Sequence, residues 1–207
     1  MTSIYVPFYS RYGNVETLAK AVAEGVGEAG AEAALAFTGD VMTPPTVMAA
    51  DARWQATHER LMAEYPLVST GALAESDGAC FGAPTRFGVM AAQLKNFFDS
   101  MGGLWMSGAT IGRPAGCFTS TATLHGGQEV SNYTMYPVLI HLGFVVVGVP
   151  YSIQELLTTT TGGGPYGPSH VAGAMGDIAP DETELTICRA LGKRVAEIAT
   201  ALKAARE

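Results

Sequence analysis

The sequence predicts an α/β fold in which helices cover both faces of an open, doubly wound parallel sheet. Short apolar runs, each bounded by Gly, Pro, Ser or Asp, are typical of strands that are buried on both faces. Stretches with a helical spacing of apolar residues lie between these runs. Strands that alternate with helices indicate βαβ units. At 207 residues the chain is long enough for one sizeable domain, 1–207, with room for an insertion.

The strands are predicted from five apolar runs. They are SIYVPFY (3–9), the weaker AEAALAF (31–37), GACFGAP (78–84), PAGCFTST (114–121) and GFVVVGVP (143–150). Pro7 stands inside the first run and cannot donate to the ladder, so we expect a local break or bulge there.

The helices are predicted from apolar residues spaced i, i+3, i+4 and i+7. One such pattern follows the first strand and another follows the third: Val15, Leu18, Ala19, Val22 and Val26, and then Leu94, Phe97, Phe98 and Met101. Further helices are expected at about 130–142 and 181–203, the latter opened by Pro180 and a run of acidic residues.

Two segments depart from simple alternation. Residues 44–76 hold an extra amphipathic stretch between the second and third strands, which we interpret as an insertion. Residues 151–180 are rich in Thr, Gly and Pro and predict a long loop. Loops of that length in a compact domain are usually functional or form interfaces.

Composition excludes several classes of protein. With 48% hydrophobic and 15% charged residues the chain is globular, and its net charge of −7 argues against nucleic-acid binding. Its apolar runs are shorter than the ~20 residues of a membrane helix, and its start lacks the basic region of a signal peptide. Cys80, Cys117 and Cys188 suit buried thiols in a reducing compartment better than disulfides or a metal site. We expect a cytoplasmic protein with no metal and no membrane span.

Ligands of open α/β sheets bind outside the carboxyl ends of the strands. Here those ends carry SRYGNVE (10–16), APTRFGVMA (83–91), STATLHGGQE (120–129) and VPYS (149–152). At the first of them, the amides of a helix N-terminus and a hydroxyl would form an anion site that needs no cation. Asn14 is equally an ordinary N-cap. A Walker loop and a G-x-S-x-G elbow are both missing, and GGGPYG lacks the strand and helix of a dinucleotide-binding motif.

Six blocks together resemble the WrbA flavoproteins, which are flavodoxin-like NAD(P)H:quinone oxidoreductases. The blocks are SRYGNVETLAKAVAEG, GAPTRFG, LKNFFDSMGGLW, STATLHGGQE, HLGFVVVGVPY and GGGPYG, and the resemblance runs nearly end to end. It implies five parallel strands in the order 2-1-3-4-5 and a homotetramer. It also implies FMN as cofactor and two-electron reduction of quinones by NADH or NADPH.

The resemblance also implies a set of cofactor-binding residues. The phosphate of FMN would lie on the Ser10 hydroxyl and the amides of residues 12–15, and the ring would lie against PTRFG. Asn14 stands where the family often has His, and Val89 where it usually has Asn. The implied cofactor set is Ser10, Arg11, Tyr12, Gly13, Asn14, Val15, Pro84, Thr85, Arg86, Phe87, Gly88, Ser120, Thr121, Ala122, Thr123, Leu124, His125, Gly126 and His141.

His141 is the implied catalytic residue, since it would donate a hydrogen bond to the quinone oxygen. Tyr12 and Trp105 are the implied substrate-binding residues, with Trp105 lining the pocket of a neighbouring subunit. Taken by themselves, His141 reads as a structural core histidine and Trp105 as a buried aromatic residue. The alternative function is a flavodoxin-type electron carrier, or an FMN-dependent scaffold, without turnover. A response regulator is disfavoured because the first strand is not followed by an acidic cluster.

Overall fold

A computed structural model describes residues 1–205 and contains a parallel sheet with the strand order β2-β1-β3-β5-β6. The strands are β1 Ser3–Phe8, β2 Glu32–Phe37, β3 Gly78–Arg86, β4 Val89–Met90, β5 Pro114–Thr121, β6 Val145–Val146 and β7 Ser169–Val171. Because β5 and β6 hold the fourth and fifth parallel positions, the predicted order 2-1-3-4-5 is confirmed. The short β4 pairs antiparallel with β3 and was not predicted.

Helices connect the strands as the alternating pattern predicted. They are α1 Asn14–Glu28, α2 Pro45–Ala49, α3 Ala52–Glu64, α4 Thr70–Glu75, α5 Ala92–Asp99, α6 Gly102–Ser107, α7 Gln128–His141, α8 Glu155–Thr158 and α9 Glu182–Ala204. The last helix begins one residue later than predicted, since Asp181 caps it in a capping box with Glu184. Within residues 1–205, no helix is both long and apolar enough to cross a membrane.

The fifth position of the sheet is divided, which corrects the single strand predicted at 143–150. Val145 and Val146 pair with the start of β5, while Ser169–Val171 pair with its end at Thr119–Thr121. The segment between them leaves the sheet, and part of the loop predicted at 151–180 therefore returns as β7. The carboxyl end of the sheet at this position belongs to β7 and not to VPYS.

Pro7 causes the local break that we expected, on the β3 side of its strand, but no bulge. Its strand keeps one register with β2 from Ser3 to Phe8. The pairing with β3 keeps its register too, but skips Val6 and Pro7, where the ladder has no N–H from the proline. The cost of Pro7 is thus local, and the following residues reach the end of the sheet undisturbed.

The core lies between the sheet and its helices, and it includes all three cysteines, which are buried and free. Burial raises the pKa of the Cys80 thiol to about 12. Helices α1 and α9 pack at backbone distance through two glycines. A Cβ atom on Gly25 would lie 1.9 Å from the carbonyl oxygen of Arg189, and one on Gly192 would lie 1.9 Å from that of Val22.

The predicted insertion forms α2, α3 and α4, and two buried carboxylates join it to the rest of the molecule. The Asp40 carboxylate accepts hydrogen bonds from four side chains, Tyr9, Thr43, Trp54 and Gln93. Glu16, in the first turn of α1, accepts from Arg60 at 3.0 Å, Tyr65 at 2.9 Å and Lys20 at 2.8 Å. Burial alone would raise the pKa of Glu16, but these hydrogen bonds outweigh it and lower the pKa to about 2.

Replacing Gly192 by Ala should lower the free energy of unfolding by about 2 kcal/mol or more, because the new methyl group would meet the Val22 backbone. Urea denaturation measures the change. The control is Gly27→Ala on the exposed face of α1, where no atom lies within 4 Å of the new Cβ. That variant should be stabilised by about 0.5–1 kcal/mol because alanine favours the helix. Equal effects of the two substitutions would contradict the close packing.

Glu16 should make the stability of the protein sensitive to acid. Its folded pKa of about 2 lies below the ordinary 4.5, so its contribution is present above pH 4.5 and is lost as the pH falls towards 2. The stability difference between wild type and Glu16→Gln should therefore shrink from pH 7 to pH 3. Urea midpoints measure it, with the exposed Glu59→Gln on α3 as the control. A difference that stays constant with pH would refute the assignment.

Candidate functional site

A cleft of about 310 Å³ opens at the carboxyl edge of the sheet, where the ends of four strands, β1, β3, β5 and β7, meet. Most of the implied cofactor residues line it. The lining residues are Ser10, Arg11, Tyr12, Asn14, Val15, Pro84, Thr85, Arg86, Ser120, Thr121, Ala122, Ala172, Gly173, Ala174 and Gly176. The cleft lies where strand order reverses at β1 and β3, the ordinary ligand site of an open α/β sheet.

The loop after β1, residues 10–14 (the β1 loop), delivers the chain into α1. Gly13 holds a φ of 96°, which glycine adopts without strain, and its N–H donates to the buried Ser10 hydroxyl oxygen over 3.0 Å. Helix geometry leaves the first amides of α1 without intrahelical acceptors. Among the described side chains none caps them, so the start of α1 presents free donors to the cleft.

Asn14 is the first residue of α1 and not its N-cap, so the alternative of an ordinary cap is wrong. Its amide Nδ2 donates instead to the Gly176 carbonyl oxygen over 3.0 Å. The side chain thus joins the β1 loop to the segment after β7 and leaves its own backbone N–H facing the cleft end of the helix.

The charges beside this helix end favour an anion. Glu16 would repel one, but Arg60 and Lys20 pair with it, and Arg60 lies 3.8 Å from the position of a Cβ on Gly13. Arg11 and Arg86 add two guanidinium groups to the lining of the cleft. Burial of Arg86 lowers its pKa, as a cation held partly out of water requires.

The second loop is a tight hairpin between β3 and β4. Its turn consists of Phe87 and Gly88, both with positive φ, 54° and 83°. Phe87 is the only non-glycine residue with positive φ within residues 1–205, and its ring is fully exposed. A residue held in this region costs about 1–3 kcal/mol, and such strain clusters at functional sites. The Thr85 hydroxyl oxygen braces the turn by accepting from the Gly88 amide and from Ser131.

The third loop follows β5 and is only partly in the cleft. Ser120 and Thr121 are buried at the strand end, and no described residue forms a hydrogen bond with the Ser120 hydroxyl. Beyond Ala122 the chain turns away, closed by a hydrogen bond from Gly126 N–H to the Thr123 carbonyl oxygen. The implied residues Leu124 and His125 line a separate cleft at the start of α7. Their implied part in binding the cofactor stays a prediction.

The predicted site residues do not include one wall of the cleft. It is formed by residues 172–176 after β7 (the β7 loop), where Gly173 and Gly176 have φ values of 77° and 66°. The sequence signal was the loop predicted at 151–180, but local pattern could not show which of its residues would reach the sheet edge.

His141 and Trp105 lie away from the cleft of their own chain, and their implied roles beside a flavin stay predictions. His141 is exposed at the last turn of α7, and a helix of 14 residues places it about 20 Å from the helix start near the cleft. Gly143, two residues on, bonds to Gly112 at the amino end of β5. Trp105 lies in α6 near the same amino edge and is 59% exposed.

The cleft therefore fits a ligand with an anionic group at one end and a planar polar group at the other. The start of α1 and the hydroxyl of Ser10 suit a phosphate, since fixed amide dipoles bind anions there. The strained hairpin and Arg86 present backbone and cationic groups some distance along the same cleft.

The fold has counterparts among solved structures. A WrbA-like flavodoxin from Agrobacterium tumefaciens aligns with a TM-score of 0.59 at 23% identity, covering 97% of this chain and 99% of that one. A flavodoxin from the domain Archaea aligns with a TM-score of 0.62 at 16% identity, covering 96% and 99%. At this identity the two structures show the flavodoxin-like fold alone.

The sequence has closer relatives. A family model described as NADPH-dependent FMN reductase matches residues 10–155. A protein of Chromohalobacter salexigens is 45% identical over 205 residues, covering 98% of this chain and 99% of that protein. A protein of Geobacter metallireducens is 42% identical over 203 residues, covering 97% and 98%, and both are named NAD(P)H dehydrogenase (quinone). Matched by the family model over most of its length and by these relatives over nearly all of it, the chain belongs to the NADPH-dependent FMN reductase family.

Proposed function

We propose that the whole chain acts as one FMN-binding domain and catalyses the two-electron reduction of quinones by NADH or NADPH. When bound, FMN supplies the redox chemistry, accepting a hydride from the nicotinamide and delivering it to the quinone, which takes up a proton to become the hydroquinone. The observation that carries the proposal is the uncapped start of α1, opening into a cleft that Pro84, Thr85 and Arg86 of the hairpin also line.

The phosphate end of FMN fits the residues present. The Ser10 hydroxyl oxygen already accepts from Gly13 N–H, so its own proton is available to a phosphate oxygen. The amides of residues 12–15 would complete the site, with Ser120 and Thr121 on the opposite wall. Of these, Ser120 is the freer donor, because the Thr121 hydroxyl already donates to the Thr123 carbonyl oxygen.

The ring end would rest on the hairpin. Backbone groups of Pro84 to Phe87 would face the polar edge of the isoalloxazine, and they suit it because they do not reorganise when the ring changes charge. Arg86 would favour negative charge on the reduced ring. Tyr12, which lines the same cleft, would border the substrate position.

The competing function is an electron carrier that passes single electrons and turns over no substrate. The relatives that cover the chain are named NAD(P)H dehydrogenase (quinone), and guanidinium groups rather than carboxylates line the cleft. Both observations favour the enzyme. Its work belongs in a reducing compartment such as the cytoplasm, in keeping with three free buried thiols.

The test is to purify the protein, release its flavin by heat and identify it by chromatography, and then to follow NADH oxidation with benzoquinone as acceptor. FMN together with steady quinone-dependent turnover is the expected result. Chiefly FAD would refute the cofactor, and bound FMN without turnover would favour the carrier.

Ser10→Ala should weaken FMN binding about tenfold or more, since a hydrogen bond to a charged group contributes roughly 1.5–3 kcal/mol. Riboflavin has no phosphate, and its affinity should change little. Quenching of flavin fluorescence measures both constants. Ser100→Ala, at the exposed end of α5, serves as the control and should leave both affinities unchanged. Equal losses of affinity for FMN and for riboflavin would contradict the contact between the phosphate and Ser10.

We also propose a homotetramer in which His141 and Trp105 act in the cleft of another copy. Two exposed apolar patches support it. The amino-edge patch comprises Trp105, Met106, Ile111, Ile140 and Val145. The cleft-side patch comprises Phe87, Val89, Leu124, Val130 and Tyr133. Contiguous exposed apolar surface usually marks an interface. If each patch covers the other on a neighbouring copy, His141 of one copy reaches the quinone position in the cleft of the next. The described lining of that cleft includes no residue of α7 from its own chain.

Light scattering at micromolar protein with saturating FMN should give the mass of a tetramer. His141→Ala should slow quinone reduction about 10²-fold, as loss of a positioned proton donor does, while FMN affinity stays unchanged. A chain with Gly13→Val should lack a working β1 loop. Co-refolding it with His141→Ala chains should restore activity, because mixed assemblies pair an intact cleft with an intact His141. A monomer, or no restoration on mixing, would contradict action between copies.

A further inference from the structure

The first turn of α3, in the insertion, reaches across to both loops at the phosphate end of the cleft. Arg53 donates from Nη1 to the Met175 carbonyl oxygen over 3.0 Å and from Nη2 to the Gly176 carbonyl oxygen over 2.6 Å. The Gly176 oxygen also accepts from Asn14 on α1. Arg53 on α3 and Asn14 on α1 therefore both bind the Gly176 carbonyl oxygen of the β7 loop.

Asp51 holds the β1 loop from the same helix turn. One carboxylate oxygen caps α3 by accepting from Trp54 N–H over 3.0 Å. The other accepts from the Tyr12 hydroxyl over 2.6 Å and from Arg11 over 3.3 Å. The hydrogen bond from Tyr12 lowers the pKa of Asp51, which keeps the carboxylate charged.

Two guanidinium groups and two aromatic rings interleave above these hydrogen bonds. The Arg11 guanidinium lies 3.9 Å from the centre of the Trp54 ring and 5.1 Å from that of Tyr12. The Arg53 guanidinium lies 4.6 Å from the Tyr12 ring. Arg53 and Trp54 of α3 thus flank Arg11 and Tyr12 of the β1 loop. Cation–π contacts of this kind add about 0.5–1 kcal/mol each at exposed positions.

We propose that Arg53 is a positioning residue through which the insertion closes the β7 loop against the β1 loop and slows the release of FMN. The inference rests on the proposed function, since it concerns the same cleft. It depends on the planar fork of arginine, because two adjacent carbonyl oxygens are held at once, and a lysine ammonium would reach only one of them well. Arg53 itself is exposed and touches the loop backbone, so its role is to hold the wall in place and not to contact the cofactor.

The experiment compares Arg53→Ala, Arg53→Lys and the control Arg194→Ala, which removes an exposed arginine from the far helix α9. All three should fold, since surface substitutions seldom change stability by more than about 0.5 kcal/mol. The first readout needs no flavin: amide hydrogen exchange of Gly176 and Ile178, whose N–H groups bond to Gly173 and Ala172 inside the loop. The second readout is the rate of FMN release, followed by the rise in flavin fluorescence on dilution.

In Arg53→Ala we expect exchange at Gly176 and Ile178 to rise about tenfold and FMN to leave about tenfold faster, as loss of charge-assisted hydrogen bonds predicts. In Arg53→Lys both the exchange rate and the rate of FMN release should lie between those of Arg53→Ala and wild type. In Arg194→Ala both rates should match wild type. Unchanged exchange, or a release rate within twofold of wild type, overturns the proposal. If the wild type does not bind FMN, the exchange result still decides whether Arg53 holds the loop, and the failure then belongs to the proposed function.

Discussion

The free amides at the start of α1 are the feature on which the rest of the site depends. They face a crevice because strand order reverses between β1 and β3, so that the chain leaves these two strands in opposite directions. Gly13 turns the chain so that the helix begins at the strand end, and Ser10 holds that turn. The helix is then fixed in depth by its backbone contact with α9 at Gly25 and Gly192. A bulkier residue at either glycine would move the anion site relative to the hairpin.

The strands and the loops at their ends could be predicted because both depend on local pattern. The apolar run SIYVPFY is followed directly by Ser10, and PAGCFTST ends in Ser120 and Thr121. The polar groups at the strand ends are thus adjacent in sequence to the pattern that predicts the strands. The division of the fifth position could not be predicted. Ser169–Val171 is too short to carry a strand signal, and its place beside β5 depends on where a long loop returns.

Residues that act across the molecule also escaped prediction, for a related reason. Arg53 is one charge on an amphipathic helix, and its partners are carbonyl oxygens more than a hundred residues away. The resemblance implied that His141 lies beside a flavin without giving the copy of the chain that holds it, and the length of α7 carries it to the opposite edge of the sheet. Sequence pattern does not give the distance of either residue from the cleft, because that distance depends on helix length and on the direction in which each element crosses the sheet.

The distribution of charge connects these parts. The chain carries only 12 basic residues against 19 acidic ones, yet Arg11, Arg53 and Arg60 lie around the phosphate end of the cleft, and Arg86 lies farther along it. FMN and the nicotinamide nucleotides are anions, so an acidic protein needs such a local excess to attract them. Three of the four are held by partners from the insertion or belong to it: Asp51 binds Arg11, while Arg53 and Arg60 project from α3. The insertion therefore adds two guanidinium groups at this end, Arg53 beside the β7 loop and Arg60 beside the start of α1, together with the Asp51 carboxylate that pairs with Arg11. The bare α/β fold would offer an anion only helix amides, Arg11 and Arg86.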